Sequence, residues 1–313
     1  MHIRRLAAID LGTNTVRLLV VEVLGAAEWR PLSQAQTITR LGEGLSASGQ
    51  LGEAAMRRTI ATVADFCAQA EALGAHDVLI VATSAVRDAP NRQAFVDRVH
   101  RTVGHRVRVV AGEEEARLAL LGTLHGLSAL TGSFVLFDIG GGSTEFSLAR
   151  ERRLAGAVSL ALGVVPLAER YLTAGPVDWA RYAEMEGEIR SRLSTGLADF
   201  GRHPRPDHLV GTAGTVTTLA ALDQELAAYD PERVQGYVLE RHRIDRLLAR
   251  LGALPMAARA ELPCLPPGRA DLIIPGTAIC LAVMDHFGFA SVIVSDFGLR
   301  EGILIEHLSR VSP

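Results

Sequence analysis

The chain has 313 residues, of which 48% are hydrophobic and 21% charged, a composition typical of a globular protein large enough for two domains. Its net charge is −3, so no overall positive field attracts nucleic acid or an anionic membrane surface. All 32 basic residues are arginine, which excludes a Schiff-base lysine, a lysine general base and the lysine of a P-loop.

Cysteine spacing and hydropathy narrow the class of protein further. Cys67, Cys264 and Cys280 are far apart in sequence, so neither a zinc site nor a disulfide framework is expected. No apolar run approaches the roughly 18–20 residues of a membrane span. Asp10 interrupts the N-terminal apolar stretch too early for a signal peptide. We therefore expect a cytoplasmic protein that binds neither nucleic acid nor membrane.

The first part of the chain predicts a three-stranded meander followed by alternating helices and strands. Helical spacing of Met56, Ile60, Val63 and Cys67 marks the first long helix. The predicted elements are strands at 3–10, 16–23 and 29–42, a helix at 53–74, a strand at 77–83, a helix at 92–104, a strand at 105–112 and a helix at 113–127.

The pattern then restarts, because residues 133–163 again predict a strand, a Gly turn and two further strands. The later predicted elements are helices at 166–172 and 178–200, a strand entering a helix at 207–222, helices at 243–254 and 269–288, a strand at 291–296 and a helix at 298–308. Strands alternate with helices in both parts, so the sequence predicts an α/β fold.

Two Gly-rich loops form an internal repeat, since DLGTNTVRL from Asp10 aligns with DIGGGSTEF from Asp138. Such turns bring backbone N–H groups close to an anion, and hydroxyl and amide side chains add donors. A hairpin turn would explain one copy alone. Two matched copies favour phosphate binding. The predicted phosphate-binding residues of these loops are Gly12, Thr13, Asn14, Gly140, Gly141, Gly142, Ser143 and Thr144.

Acidic residues stand at the ends of the two strands that precede these loops. Asp10 and Asp138 need a hydrogen bond or a cation to be stable there, and Glu145 lies seven residues past Asp138. Hard oxygen ligands of this kind bind Mg²⁺ together with substrate phosphates. The equivalent position in the first copy is Arg17. The pattern therefore assigns the first loop to phosphate binding and the second also to a metal.

Three further segments carry candidate residues. Glu114 shares a helix face with Leu118 and Leu121, which predicts an inward carboxylate suited to a general base. Arg87 follows a strand end, where ligand sites of α/β proteins collect, although a helix-capping loop explains it equally well. A GTAGT segment precedes a helix and is either an N-cap turn or a site for phosphate or ribose. Its candidate residues are Gly211, Thr212, Gly214 and Thr215.

Together these segments resemble the exopolyphosphatase / guanosine pentaphosphate phosphatase family, within the actin, sugar-kinase and Hsp70-like ATPase superfamily. AIDLGTNTVRL, ATSAVRDAPN, AGEEEARL, DIGGGSTEF, GTAGTVTTLA, RADLIIPGTAI and SDFGLREGIL occur in the family order and span nearly the whole chain. The resemblance implies two actin-like (ribonuclease H-like) α/β domains with mixed sheets flanked by helices, at residues 1–120 and 121–298. It also implies that helix 299–313 packs on the first domain and that the active site lies in the interdomain cleft.

The same resemblance implies the reaction, which is Mg²⁺-dependent removal of a terminal phosphate from inorganic polyphosphate or of the 5′ γ-phosphate from pppGpp. The matching positions make Glu114 the catalytic glutamate, Arg87 the cleft arginine, and Asp10, Asp138 and Glu145 the metal-linked acidic residues. The expected partners are inorganic polyphosphate or guanosine penta- and tetraphosphate, and a homodimer is left open.

Alternatives follow from the same motifs. Longer family members carry additional domains, whereas this chain stops at Pro313, so we expect a preference for short polyphosphate. A phosphotransferase of the sugar- or acetate-kinase type would use two phosphate loops in the same way. A non-catalytic sensor of ppGpp or pppGpp would bind without releasing phosphate.

Overall fold

The computed structural model describes residues 4–25, 28–200 and 203–311. Residues 312–313, the end of the predicted segment 299–313, lie outside the described residues. The strands are Arg4–Leu11 (β1), Thr15–Val23 (β2), Trp29–Ile38 (β3), Asp77–Ala82 (β4), Val107–Val109 (β5), Phe134–Ile139 (β6), Thr144–Arg150 (β7), Arg153–Leu160 (β8), His208–Thr212 (β9), Val238–Glu240 (β10) and Ser291–Val294 (β11). The helices are Leu45–Ser48 (α1), Glu53–Ala72 (α2), Ser84–Asp88 (α3), Arg92–Val103 (α4), Gly112–Gly126 (α5), Val164–Tyr171 (α6), Trp179–Gly196 (α7), Ala213–Asp223 (α8), Pro231–Val234 (α9), Arg241–Ala253 (α10), Met256–Ala260 (α11), Ile273–Phe287 (α12) and Leu299–Val311 (α13).

The chain divides into two compact units. Unit 1 comprises Met1–Gly122 and Leu299–Pro313, and unit 2 comprises Thr123–Gly298. The division therefore falls inside α5, and the C-terminal helix α13 belongs to unit 1. There α13 packs against β1, β2 and β4.

In unit 1, β1 is buried on both faces because its side chains alternate between two apolar clusters. Ile9 and Leu11 pack on one face with residues of α2 and α4. Leu6 and Ala8 pack on the other face with residues of α5 and α13. This period-two alternation with both faces apolar is what a central strand between two helical layers requires.

In unit 2, α12 forms the centre of the core. From Ile273 to Met284 every residue of α12 is buried, and the helix packs against α6, α7, α8 and α10. A helix that is apolar all round is stable only when it is surrounded by protein. The sequence places its start too early, at residue 269. A short 3-10 turn occupies Pro267–Arg269 instead, and Pro275 lies in the first turn of α12, where a missing N–H is tolerated.

Five strands of each sheet share one topology, and the sheet of unit 2 adds β10, which pairs antiparallel with β11 at one edge. In unit 1 the strand order is β3-β2-β1-β4-β5, and in unit 2 it is β10-β11-β9-β6-β7-β8. In each, a three-stranded antiparallel meander continues into parallel strands. Even the register shift coincides, because it falls between Val20 and Val21 in β2 and between Leu148 and Ala149 in β7. These mixed sheets flanked by helices confirm the predicted α/β class.

The pairing register of the two hairpins is identical. Asp10 on β1 lies opposite Arg17 on β2, and Asp138 on β6 lies opposite Glu145 on β7. Each residue of the second pair follows its counterpart by 128 positions (138 − 10). The internal repeat read from the sequence is therefore also a repeat in three dimensions. Within the described ranges, no helix has both the length and the apolar character needed to cross a membrane.

Candidate active site

The two Gly-rich loops close with the same hydrogen bond. Gly12 N–H donates to the carbonyl of Thr15 over 3.1 Å, and Gly140 N–H donates to the carbonyl of Ser143 over 2.9 Å. A Cβ at Gly12 would lie 3.0 Å from the Thr15 oxygen, and one at Gly140 would lie 2.9 Å from the Ser143 oxygen. The turn brings the backbone this close to itself, so both positions favour glycine, and a Cβ at Gly140 would force the backbone to shift.

In the first loop, the carbonyl groups of Thr13 and Asn14 accept hydrogen bonds, whereas the N–H groups of the same residues do not donate any within the described residues. The carbonyls of Thr13 and Asn14 accept hydrogen bonds from N–H groups of the segment 39–42, at 2.8 to 3.0 Å. Within the described residues, the N–H groups of Thr13 and Asn14 donate to no acceptor. Both residues are buried. Adjacent N–H groups of this kind form a positive concavity suited to an anion.

The second loop has the same arrangement with a different support. Its carbonyls at Gly140 and Gly141 accept from Val164 N–H at 3.1 Å and Val165 N–H at 2.9 Å, in the first turn of α6. In the part of the chain that the structure describes, the N–H groups of Gly141 and Gly142 have no acceptor. The loop therefore offers two donors, as the first loop does.

Gly163, which sequence reasoning missed, allows α6 to approach the second loop. A Cβ at this position would lie 2.3 Å from the Gly141 oxygen and 2.3 Å from the Gly142 carbonyl carbon. The only local signal in the sequence is a glycine directly before a helix.

The hydroxyl of Thr144 is expected from the sequence to donate to phosphate. In the structure this hydroxyl is fully buried and donates instead to the carbonyl of Leu162 at 2.5 Å.

Asp10 is a buried carboxylate at the end of β1, with 8% of its surface exposed. Burial raises its pKa to about 6, and the nearby charges of Arg17 and Arg300, which lower the pKa, offset only part of that effect. Its Oδ1 has no hydrogen-bond partner among the described residues. A buried carboxylate oxygen without a donor fits a cation ligand, because a cation would compensate its charge.

Asp138 and Glu145 form a pair of carboxylates on unit 2. They lie directly opposite each other on β6 and β7, so their side chains project from the same face of the sheet. Glu145 is 2% exposed, and its Oε1 accepts a hydrogen bond from Ser159 at 2.7 Å. Within residues 4–25, 28–200 and 203–311, no three His, Cys, Asp or Glu residues form a cluster that could hold a metal by themselves. A pair still fits Mg²⁺, which uses one or two carboxylates together with substrate phosphates and water.

The inward carboxylate on α5 is Glu115, not Glu114. Glu115 is 8% exposed, and its Oε2 accepts a hydrogen bond from Arg87 at 2.7 Å. Arg87 Nη1 lies also 3.4 Å from the carbonyl of Val110. The structure therefore brings Arg87, one of the predicted residues, into an ion pair with the neighbour of the predicted general base.

The predicted inward orientation of Glu114 is wrong because of the helix period. Glu114, Arg117 and Leu121 follow one another on a half-buried flank of α5, and the side chain of Glu114 binds Arg108. Glu115 is instead in line with Leu118, which is fully buried. Leu118 lies four residues after Glu114 and three after Glu115, so it is compatible with either assignment.

The third predicted segment, Gly211 to Thr215, leads from β9 into α8. The hydroxyl of Thr212 lies 3.0 Å from the carbonyl of Ser295, a contact that keeps this side chain within the protein. Ala213 has φ +66, a left-handed conformation that is strained for a residue with a Cβ. Arg269 Nη1 lies 3.4 Å from the Gly214 carbonyl, so a guanidinium stands beside this turn. Thr215 is buried against Gly276 of α12.

Comparison with known proteins agrees with this fold. Exopolyphosphatase 2 of Mycobacterium tuberculosis is 32% identical over 97% of this chain and 99% of its own length. Exopolyphosphatase 1 of Mycobacterium leprae is 30% identical over 97% of this chain and 89% of its own.

Solved structures with the same fold include the Aquifex aeolicus member of the Ppx/GppA family, with a TM-score of 0.83 and 31% identity over 99% of this chain and all of that one. An exopolyphosphatase from Cytophaga hutchinsonii has a TM-score of 0.91 and 26% identity, with 99% of both chains covered. The predicted fold of two actin-like domains is confirmed. The Ppx/GppA phosphatase family matches residues 19–311. This chain therefore belongs to the Ppx/GppA phosphatase family, and the predicted class of enzyme is confirmed.

Proposed function

We propose that this protein hydrolyses terminal phosphoanhydride bonds, releasing orthophosphate from short inorganic polyphosphate or the 5′ γ-phosphate from pppGpp. The observation that carries the proposal is the pair of matched loops. Each closes on a Gly N–H and leaves two adjacent N–H groups without an acceptor among the described residues. Curated relatives are named exopolyphosphatases, which favours polyphosphate as the substrate.

In this proposal the loops bind phosphate oxygens. The N–H groups of Thr13 and Asn14 serve one loop and those of Gly141 and Gly142 the other. Backbone donors fixed before the substrate arrives stabilise charge that develops on a transferred phosphoryl group without having to reorganise. No lysine is available for the purpose, so arginine and backbone N–H groups supply the positive potential.

We assign the general base to Glu115, which would accept the proton of the attacking water. Its carboxylate is buried and held by Arg87, so its orientation is set by the protein. The guanidinium of Arg87 has further N–H groups that could bind an oxygen of the phosphoryl group. Glu114, the base expected from the family motif, is the alternative, and its carboxylate binds Arg108.

A divalent cation, Mg²⁺ or another, would be held on unit 2 by Asp138 and Glu145. Asp10 on unit 1 is also proposed as a metal-linked carboxylate. When bound, the cation would offset the negative charge of the phosphates. Asp10 and Glu145 are both almost fully buried, so a cation or hydrogen bonds would compensate the cost of burying their charge.

The test is a measurement of orthophosphate release by the purified protein with Mg²⁺. Short polyphosphate, long polyphosphate, pppGpp and ATP are offered side by side, with no sugar or carboxylic acid present. We expect release from short polyphosphate or pppGpp and its loss in the Glu115→Gln variant. Release only after addition of a phosphate acceptor would indicate a phosphotransferase, and tight binding of pppGpp without release would indicate a sensor.

A further inference from the structure

Glu306 on the C-terminal helix α13 has an unusual set of partners. It is 7% exposed, and both of its oxygens are engaged. Oε2 accepts a hydrogen bond from Arg108 on β5 at 2.5 Å, and Oε1 accepts one from Arg117 on α5. Arg310 forms an ion pair with Oε1 at 3.2 Å. A carboxylate this buried is stable only with such partners, and removal of its charge leaves guanidinium groups uncompensated.

Arg108 connects this carboxylate to the first turn of α5. Its second terminal nitrogen binds Glu114, the residue directly before Glu115. Arg117, which binds the other oxygen of Glu306, lies two residues after Glu115. Two arginines that bind the Glu306 carboxylate therefore fix the first turns of α5. Arg108 binds Glu114 just before Glu115, and Arg117 lies just after it.

The two helices also touch through their backbones. Gly302 on α13 faces α5 so closely that a Cβ there would lie 1.8 Å from the carbonyl oxygen of Leu118. Leu118 is fully buried in the same apolar cluster as Ile303 and Leu304. The close contact at Gly302 and the ion pairs of Glu306 lie one helical turn apart on α13. Together they set the position of α5 relative to α13.

We propose that Glu306 is a positioning residue, which sets the place of the Glu115 carboxylate through Arg108, Arg117 and the first turn of α5. The inference rests on the proposed role of Glu115 as the base. A base acts only within hydrogen-bonding reach of the water that it deprotonates, so a displacement of about 1 Å lowers the rate by up to about 100-fold.

A matched control exists in unit 2. Glu188 on α7 also has its two oxygens engaged, by Arg170 and Tyr171 on one side and Arg192 on the other. Neither Glu188 nor these partners belong to the predicted site. The variants Glu306→Gln and Glu188→Gln keep side-chain volume, remove one charge and disturb comparable networks.

The experiment measures kcat and KM for orthophosphate release from short polyphosphate with Mg²⁺, well below the melting temperature of either variant. Hydrogen–deuterium exchange of the amides at 112–118 is measured on the same full-length proteins. For Glu306→Gln we expect kcat to fall about tenfold with KM within about twofold, and exchange at 112–118 to accelerate. For Glu188→Gln we expect neither change.

The inference is overturned if Glu306→Gln retains wild-type kcat, or if Glu188→Gln lowers kcat as much. If Glu306→Gln does not fold, Arg117→Gln replaces it, because that variant removes one donor and leaves Arg108 in place. A wild-type protein that releases no phosphate would defeat the proposed function instead. In that case only the exchange data test whether Glu306 positions α5. Unchanged exchange at 112–118 in Glu306→Gln would reject the positioning role.

Discussion

Replacing Gly163 with alanine is the sharpest test of the second loop. The added Cβ would lie 2.3 Å from the Gly141 oxygen and the Gly142 carbonyl carbon, whereas ordinary contacts begin at 3.4 Å. The loop must therefore move by about 1 Å, and the neighbours are backbone atoms that cannot rotate away. Gly163 has φ −113 and ψ 159, which alanine adopts readily, so the effect is steric and not conformational.

We expect two consequences of Gly163→Ala. Overpacking of this kind lowers the free energy of unfolding by about 1–3 kcal/mol. Displacement of the Gly141 and Gly142 N–H groups by about 1 Å lowers kcat/KM for phosphate release by about 100-fold.

The assay combines thermal unfolding with kinetics of orthophosphate release. Gly156→Ala is the matched control, since Gly156 lies on β8 of the same unit and nothing stands within 4 Å of an added Cβ. Wild-type stability and activity in Gly163→Ala, equal to those of Gly156→Ala, would refute the assigned close contact. Lost stability with unchanged activity would refute the role of this loop in phosphate binding.

Three further outcomes are expected. Glu115→Gln should lower kcat by about 10²–10⁴-fold, the contribution of a general base, while Glu114→Gln lowers it by less than about tenfold; the reverse order would return the role to Glu114. Burial alone would raise the pKa of Glu306, but hydrogen bonds from neighbouring arginines outweigh burial and hold it below 4.5. The ion pairs of Glu306 therefore stabilise the fold above pH 4.5 and are lost in acid. Urea unfolding of wild type and Glu306→Gln should show a stability difference that shrinks as the pH falls below 4.5. Gly302→Ala should destabilise unit 1 by about 3 kcal/mol in the same assay, and an unchanged unfolding midpoint would contradict the close helix contact.

Much of the scaffold around the loops could be predicted because it depends on local rules. A strand that ends in Asp, a Gly turn and a second strand define a hairpin, and its register follows from the turn. The repeat of that pattern from Asp10 to Asp138 therefore predicted two equivalent hairpins. The difference between Arg17 and Glu145 was visible in the aligned motifs and lies at equivalent register positions.

The choice between Glu114 and Glu115 could not be made from the sequence. Successive residues on a helix point about 100° apart, and Leu118 is compatible with either one as its buried neighbour. Which of the two carboxylates points inward depends on which flank of α5 faces the rest of unit 1. Contacts with residues distant in sequence determine that flank. Arg87 binds Glu115, and Arg108 binds Glu114.

The sequence by itself determined the α/β class, the internal repeat and the residues of the two loops, because each depends on periodicity or on turn chemistry within about ten residues. Only the tertiary structure decided which carboxylate on α5 is buried, and that Gly163 supports the second loop. It also revealed that Glu306 on α13 joins Arg108 and Arg117. These features depend on close approach between segments far apart in the chain, a distance that no local pattern encodes.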